Sequence, residues 1–329
     1  VGLNINYVVF FILDTMDELI GYDDISDPVL KHSYAISSTV AAAWNTPTGQ
    51  DWAVVDTKAQ GETLFMNGEL QSCKKDEYIY HEMFVHSLLQ GCQNPERVLI
   101  LGGAEGCMLR EVLRWSSVKQ VTQIDWDEPL VEFFKSMGSS WNGGAYKDPR
   151  VRLLCLDAFD WVARTTETFD AIFVDFMDPK DSETLVPLLE SLKGILNPKG
   201  GLSINAGQVH VQARGPTPAI GLAKSMSEIF QDPSFHRVAM KVCVPSFLGE
   251  WCFLMVASQQ WSSNINRSTY TPSGLRRFTF LELTRCIRWT SDYPEELVDF
   301  WIKSESSEMT KKLTASDDDN ELINFHYDH

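Results

Sequence analysis

The sequence predicts an α/β fold, a parallel doubly wound sheet preceded by a small β-rich part. Three observations predict it. From Arg97 to Gly207, short apolar runs alternate with helix-patterned segments, the order of a parallel sheet with crossover helices. The first run, "RVLI", leads into "LGGAEGCMLREV" (101–112), a strand-to-helix glycine turn of the kind that marks a ligand site in such sheets. Before it, Gln50 to Gln71 alternates apolar and polar residues, with turn signals at Gly61 and Asn67-Gly68. That is the pattern of antiparallel hairpins.

The elements follow in order. Residues 1–48 hold a strand-like run, "NYVVFFILD", and a short helix-like one, "DTMDELI", and form a separate N-terminal segment. Residues 49–75 form the hairpin domain. "DEYIYHEMFVHSLL" (76–89) reads as a helix with an acidic first turn. In the main domain, 76–258, the expected strands are "RVLILGG", "VTQIDWDE", "VRLLCLD", "FDAIFVDF" and "GGLSINAG". The expected helices are "EGCMLREVLRW", "PLVEFFKSM", "AFDWV" and "LVPLLESLKGIL". The helix "AIGLAKSMSEIF" and two further strands, "VAMKVCVPSF" and "EWCFLMVAS", close the domain, and the strand pair suits an antiparallel edge. Residues 259–329 are a C-terminal extension in which "PEELVDFWIKS" has helical spacing and the last stretch is acidic.

Bulk properties exclude several classes. No run of 18 apolar residues occurs among the 329, so no membrane span or membrane partner is expected. The net charge of −17 disfavours nucleic acid, which needs clustered Lys and Arg. It attracts cations, although an acidic surface also serves plain solubility. Seven scattered cysteines without C-x-x-C argue for reduced thiols, an intracellular setting and no zinc site. A cytoplasmic location is expected, with an organelle address left open.

The carboxylates carry the functional signal. In an open parallel sheet, ligands bind at the carboxyl ends of the strands. Here those ends carry Gly102, Gly103 and Glu105, then Asp125 and Asp127, then Asp157, then Asp175 and Asp178. Glu105 inside the glycine turn would repel a pyrophosphate. Asp125, 22 residues after Gly103, is placed to accept ribose hydroxyls. Asp157 reads equally as a helix cap. Asp175 and Asp178, three apart and close to Glu105, are costly to crowd without a balancing cation. A nucleoside without phosphates, carrying a sulfonium, together with an amine meets both demands. Metal is the rival cation. No histidine pairs with these acids in sequence, and Phe176 and Met177 between them suit Mg²⁺ poorly, so no metal is expected.

These residues resemble the polyamine aminopropyltransferases, the spermidine, spermine and thermospermine synthases, over roughly Gln50 to Ser258. "MNGELQSCKKDEYIYHEMFVH" resembles the family's D-G-x-x-Q-x-x-x-x-D-E-x-x-Y-H/Q-E. "ILGGAEGCMLREVL" resembles G-G-G-D/E-G-x-x-x-R-E, and "FDAIFVDFMDP" resembles F-D-x-I-x-x-D-x-x-D-P. "VTQIDWDEPLVEF" matches the family's second strand end. Glu105 and "QSCKKDEYIYHE" look most like thermospermine synthases, and "VCVPSFLGEWCF" looks like spermine synthase. The departures are Ala104 for a third glycine, Asn67 for Asp, Phe247 for an amine-contacting Tyr, and a loop after Pro179 without the usual aromatics.

The resemblance implies a Rossmann-like, methyltransferase-type sheet with a small N-terminal β-rich domain. It implies decarboxylated S-adenosylmethionine as co-substrate, with no further cofactor, and a polyamine as partner substrate. Asp175 matches the catalytic acid, assisted by Tyr80. Gln50, Gln71, Gly102, Gly103, Asp125 and Asp157 match donor-binding positions. Glu105, Asp178 and Gln208 match amine-binding ones. Oligomerisation through N-terminal parts, as a homodimer or homotetramer, is also implied. Spermidine is the expected acceptor, because Phe247 and the post-Pro179 loop open the amine end. His81 reads as a hydrogen-bonding interior residue more than as a base, His86 and His236 as structural, and Cys107 as a packing residue. Two other readings stand beside this one: an S-adenosylmethionine-dependent methyltransferase on the same fold, and a non-enzymatic scaffold or assembly subunit derived from the family.

Overall fold

The computed structural model describes residues 18–22, 31–92, 94–176, 182–209, 218–258, 272–287 and 293–302. An N-terminal sheet contains β1 (Glu18–Tyr22), β2 (Lys31–Ala43), β3 (Trp52–Thr57), β4 (Gly61–Met66) and β5 (Glu69–Cys73), in that spatial order. All neighbouring pairs are antiparallel. The hairpins expected from Gln50 to Gln71 are β3, β4 and β5. Asn67 (φ 50°) and Gly68 (φ 84°) make the tight turn between Met66 and Glu69, as the twist of a hairpin favours. Asn67 serves where the family has Asp, since its Oδ1 accepts the Asp51 N–H at 2.9 Å.

The helix expected over "DTMDELI" is not what forms at its end. Glu18 to Ile20 belong to β1 and pair with Ala35 to Ser33, while residues 14–17 lie outside the described residues. Seven residues of helical spacing are too few to hold a helix against a cross-strand partner. The strand-like run at 6–14 also lies outside the described residues.

The second sheet has seven strands: β6 (Arg97–Gly102), β7 (Gln120–Asp125), β8 (Val151–Cys155), β9 (Phe169–Asp175), β10 (Leu196–Val209), β11 (Phe235–Val244) and β12 (Gly249–Ser258). Their order is β11-β12-β10-β9-β6-β7-β8. Five strands are parallel, and β12 enters antiparallel between β10 and β11. The closing strand pair is therefore a hairpin in which only β11 forms the edge.

Alternation along the strands builds two cores. Val98 and Ile100 of β6 face α1 (Glu77–Leu89) and α2 (Cys107–Leu113). Leu99 and Leu101 face α6 (Ser182–Ile195) and α7 (Pro218–Ile229). Between them along the chain lie α3 (Glu128–Ser136), the short α4 (Ser139–Asn142) and α5 (Ala158–Val162). A third cluster seats the N-terminal sheet on this unit through Val54, Leu64, Phe134 and Trp141. Helix α1 is buried nearly all round, because the C-terminal extension covers the side the sheet leaves open. The Glu82 carboxylate accepts the backbone N–H groups of Arg276, Arg277 and Phe278 at 2.6–3.0 Å. Among the described residues of the extension are two helices, α8 (Phe280–Cys286) and α9 (Glu295–Ile302). The second falls in the segment whose spacing is helical. Among the described residues no helix is long and apolar enough to cross a membrane.

The chain leaves β6 for β7 and β8 on one side and returns to β9 on the other, so the order reverses between β6 and β9. That reversal opens a crevice at the strand ends. Gly102 and Asp175 stand side by side there in register. A Cβ on Gly102 would lie 2.0 Å from the Asp175 carbonyl oxygen, and its φ is +88°. Gly102→Ala is expected to cost about 2–4 kcal/mol in urea unfolding, from backbone overlap plus left-handed strain. Gly103→Ala, where φ is +71° but the nearest atom is 3.7 Å away, is expected to cost only about 1–2 kcal/mol.

Candidate active site

The glycine turn is tied down from behind. Gln123 Nε2 donates to the carbonyls of Gly102 and Gly103 at 3.0 and 2.7 Å. Tyr146 OH donates to Ala104 O at 2.7 Å, and Asn142 Nδ2 to Glu105 O at 3.1 Å. Four successive carbonyls are thus fixed by side chains. Gly102, Gly103 and Gly106 have positive φ, whereas Ala104 does not, so alanine fits where relatives carry a third glycine. Gln123, Asn142 and Tyr146 were not among the residues singled out from sequence. Two amides and a phenol that bind backbone leave no motif.

Helix α1 crosses this turn and brings Tyr80 to Asp175, with Tyr80 OH donating to Asp175 Oδ1 at 2.6 Å. Tyr80 packs edge-on against Phe253, Phe247 and Trp251, and Phe247 lies 4.7 Å from Trp251 between ring centres. An aromatic wall therefore flanks the carboxylate. Burial pushes the Asp175 carboxyl up, and the Glu105 charge pushes it further. The His81 charge and the Tyr80 bond pull it back, which leaves it at about 6.

Behind Tyr80 runs a line of buried charges. Arg110 Nη2 donates to Glu77 Oε2 at 2.9 Å. His81 Nδ1 lies 2.8 Å from the Glu77 carbonyl and 3.0 Å from Glu77 Oε2. His81 Nε2 stands 3.1 Å from Glu105 Oε1, near enough for an ion pair but off the line of a hydrogen bond. Burial opposes the charged ring, but Glu105 and Glu77 outweigh it and raise His81 to about 10. Glu77 and Arg110 went unmarked in the sequence, although the i, i+4 spacing of Glu77 and His81 was visible. Glu77, His81 and Cys107 bring donor atoms within 4.8 Å of one another. A metal ion there would have to displace both the Arg110 guanidinium and a His81 proton, so the residues do not fit one.

The remaining expected site residues spread along the strand ends. Asp125 is partly exposed at the end of β7, and its Oδ1 accepts the Asp127 N–H at 2.9 Å. Burial raises it most, the Asp127 N–H lowers it, and the charges of Asp127, Glu105 and Asp175 raise it further, to about 7. Gln50, in the loop before β3, reaches the next residue, accepting from Trp126 Nε1 at 3.2 Å. Thr48 in the same loop donates to Asp127 at 3.2 Å. Asp157 is exposed and caps α5 by accepting the Asp160 N–H at 3.0 Å. Gln71 is half-buried on β5. Gln208 sits at the β10 bulge and donates to Phe247 O at 3.4 Å, which joins it to the aromatic wall. Asp178 and the post-Pro179 loop to 181 lie outside the described residues.

The structural histidine reading has a direct counterpart at His86. Its Nε2 faces Glu111 Oε2 and its Nδ1 accepts from Trp115 Nε1, each at 3.0 Å. Cys107 is fully buried and burial holds its thiol well above the ordinary value, so it packs and does not react. All seven cysteines are free.

A switch-point crevice with a glycine turn and carboxylates at the strand ends is the site arrangement that the sequence motifs lead one to expect. The sequence model of the Spermine/spermidine synthase domain matches residues 77–268. A polyamine aminopropyltransferase of Saccharolobus islandicus is 31% identical over 306 residues, covering 87% of this chain and 93% of that one. One from Sulfolobus acidocaldarius is 35% identical over 217 residues, 63% of this chain and 68% of that protein. The chain belongs to the spermine/spermidine synthase family, the polyamine aminopropyltransferases. Its fold matches the crystal structure of spermidine synthase from Thermotoga maritima, with a TM-score of 0.70 at 18% identity over 85% of this chain and 94% of that one. A spermidine synthase in complex with the transition state analogue AdoDATO matches with a TM-score of 0.71.

The raised carboxyls link the site to stability. A carboxyl raised above its ordinary 3.8 contributes stability below that value and loses it as pH climbs through the folded pKa, about 7 for Asp125. Asp125→Asn keeps the acceptor for the Asp127 N–H and removes the charge. In thermal unfolding of ligand-free protein it is expected to raise the melting temperature at pH 8 and to lose that advantage at pH 4.

Proposed function

We propose that the chain transfers the aminopropyl group of decarboxylated S-adenosylmethionine to a polyamine, spermidine first, giving spermine or thermospermine and 5′-methylthioadenosine. The observation that carries this reading is the 2.6 Å bond from Tyr80 to an Asp175 carboxyl held at about 6, beside Glu105 and an aromatic wall. The acceptor amine attacks the propyl carbon on the sulfonium, and the C–S bond breaks with its electrons passing to sulfur. The new ammonium sheds a proton, which Asp175 accepts while Tyr80 orients the carboxylate. A pKa near 6 leaves Asp175 ionised at neutral pH, yet more basic than an ordinary carboxylate.

The other residues supply binding. Asp125 takes the ribose hydroxyls, with Gln50, Gln71 and Asp157 on the same donor. Gly102 and Gly103 let its backbone approach closely. Exposed Trp126, Leu156 and Phe159, each adjoining one of the acidic strand ends, offer apolar cover for a purine. Glu105 and Asp178 hold amino groups, and Gln208 with Phe247 and Trp251 lines the acceptor side, where rings also favour a cation.

The methyltransferase alternative meets Glu105. The α-carboxylate of intact S-adenosylmethionine at about 4 Å from Glu105 would cost on the order of 4 kcal/mol at a surface-like dielectric. Calorimetry is expected to show it binding at least about tenfold more weakly than the decarboxylated donor. Equal affinities would remove the argument from repulsion.

Three kinetic outcomes follow from the same site. Asp175→Asn is expected to lower kcat by about 10²–10⁴ while leaving methylthioadenosine binding near wild type. The wild-type rate is expected to rise through pH 6 as Asp175 ionises, and further as acceptor amines, with pKa values near 10, lose protons. A panel of putrescine, spermidine and agmatine, read by methylthioadenosine release, should give spermidine the highest kcat/KM. A higher value for putrescine would reassign the acceptor.

A further inference from the structure

Glu77 and His81 lie one turn apart on α1, and both are buried. Both nitrogens of His81 lie next to oxygen atoms. Nδ1 meets the Glu77 carbonyl at 2.8 Å and Glu77 Oε2 at 3.0 Å, and Nε2 meets Glu105 Oε1 at 3.1 Å. Nδ1 faces only acceptors and so keeps its proton, and a second proton on Nε2, 3.1 Å from the Glu105 carboxylate, makes an ion pair there rather than a linear hydrogen bond. The line then reads Arg110⁺, Glu77⁻, His81⁺, Glu105⁻, and each anion touches a cation. Asp175 comes next, repelled by Glu105 and attracted by His81. The other groups facing this line are Tyr80 on α1, Cys107 on α2 and, across the crevice, Asp125 on β7 and Tyr146. None of these adds a positive charge.

We propose that Glu77 is a positioning residue for the aminopropyl transfer: by keeping His81 cationic, it lets Glu105 and Asp175 remain ionised side by side. The proposal rests on the proton-accepting role given to Asp175 above. His81 is then neither a base nor a bystander but a fixed counter-ion in the middle of the site's acids. Without the Glu77 charge, burial expels one ring proton. Glu105 and Asp175 then become a like-charged pair with no counter-ion, and such a pair shares a proton. One of the two carboxylates is neutralised at the pH where both are needed, one to hold an ammonium and the other to accept a proton.

The test uses the full chain labelled with ¹⁵N-histidine and ¹³Cγ-aspartate. In wild type, the His81 nitrogens are expected to stay in the imidazolium form up to pH 9. In Glu77→Gln they are expected to titrate below pH 8. The Asp175 carboxyl titration should move up by about one pH unit or more, and the acid limb of methylthioadenosine release should move with it. Glu77→Asp keeps the charge and should restore the wild-type limb. A merely structural Glu77 would lower the rate at all pH values without moving either titration. If Glu77→Gln does not fold, His81→Gln removes the same charge from the next link and should move the Asp175 titration in the same direction. A neutral His81 at pH 7 in wild type would overturn the proposal. So would an Asp175 titration that stays put once His81 has lost its proton. Should wild type release no methylthioadenosine with any amine, the reading of function fails, while the two NMR titrations still decide this one.

Discussion

The site depends on one backbone contact, the approach of β6 to β9 where Gly102 stands beside Asp175. No other residue type fits, since a Cβ would sit within bonding range of the Asp175 carbonyl oxygen. That closeness sets where the glycine turn begins, and the turn sets where Glu105 lies. Gln123, Tyr146 and Asn142 then lock the turn's carbonyls. Helix α1 lies over the result and can deliver Tyr80 to Asp175 only because the two strand ends are level. Candidate residues at the strand ends and in the preceding loop thus share one reference point, as a preorganised site requires.

Charge balance is the second constraint. Burial and the neighbouring Glu105 charge raise Asp125 and Asp175, and His81 is the cation placed among them. Unrelieved, such crowding would be relaxed by protonation. The crevice is therefore held short of positive charge, and ligands that bring it gain from the deficit. A sulfonium and an ammonium both qualify. The same deficit makes the crevice a poor host for an anionic nucleotide, which is the question the glutamate in the glycine turn first raises.

Much of this was legible in the sequence, for identifiable reasons. Buried strands are short apolar runs, and β6, β9 and β12 stand out as such. The acids are legible because strand ends and acids coincide repeatedly. The beginning of the chain is not. Glu18–Ile20 has helical spacing but becomes strand because β2 lies beside it, and no local pattern encodes a partner more than ten residues away. Helix α1 shows only part of its burial in its spacing, since the extension that covers it is remote. Ala104 and Asn67 looked like departures from a functional pattern, yet each satisfies the geometry its position needs. Gln123 and Arg110 carry side-chain bonds whose partners are known only once the turn is folded.

The grip of Glu82 on the backbone of Arg276, Arg277 and Phe278 bears on where the working unit ends. Glu82 is buried and lies two residues from Tyr80 on the same helix. Lys241, Glu250 and Tyr293 make a second clasp between the edge strands and the extension. A fragment cut after β12 would keep every strand and every acid of the crevice. It would also remove the three donors of the Glu82 carboxylate and uncover the side of the helix that carries Tyr80. The family's domain match ends at residue 268, before the segment that caps Glu82. In this chain that segment buttresses the helix carrying Tyr80, and a boundary drawn by homology alone would remove the buttress.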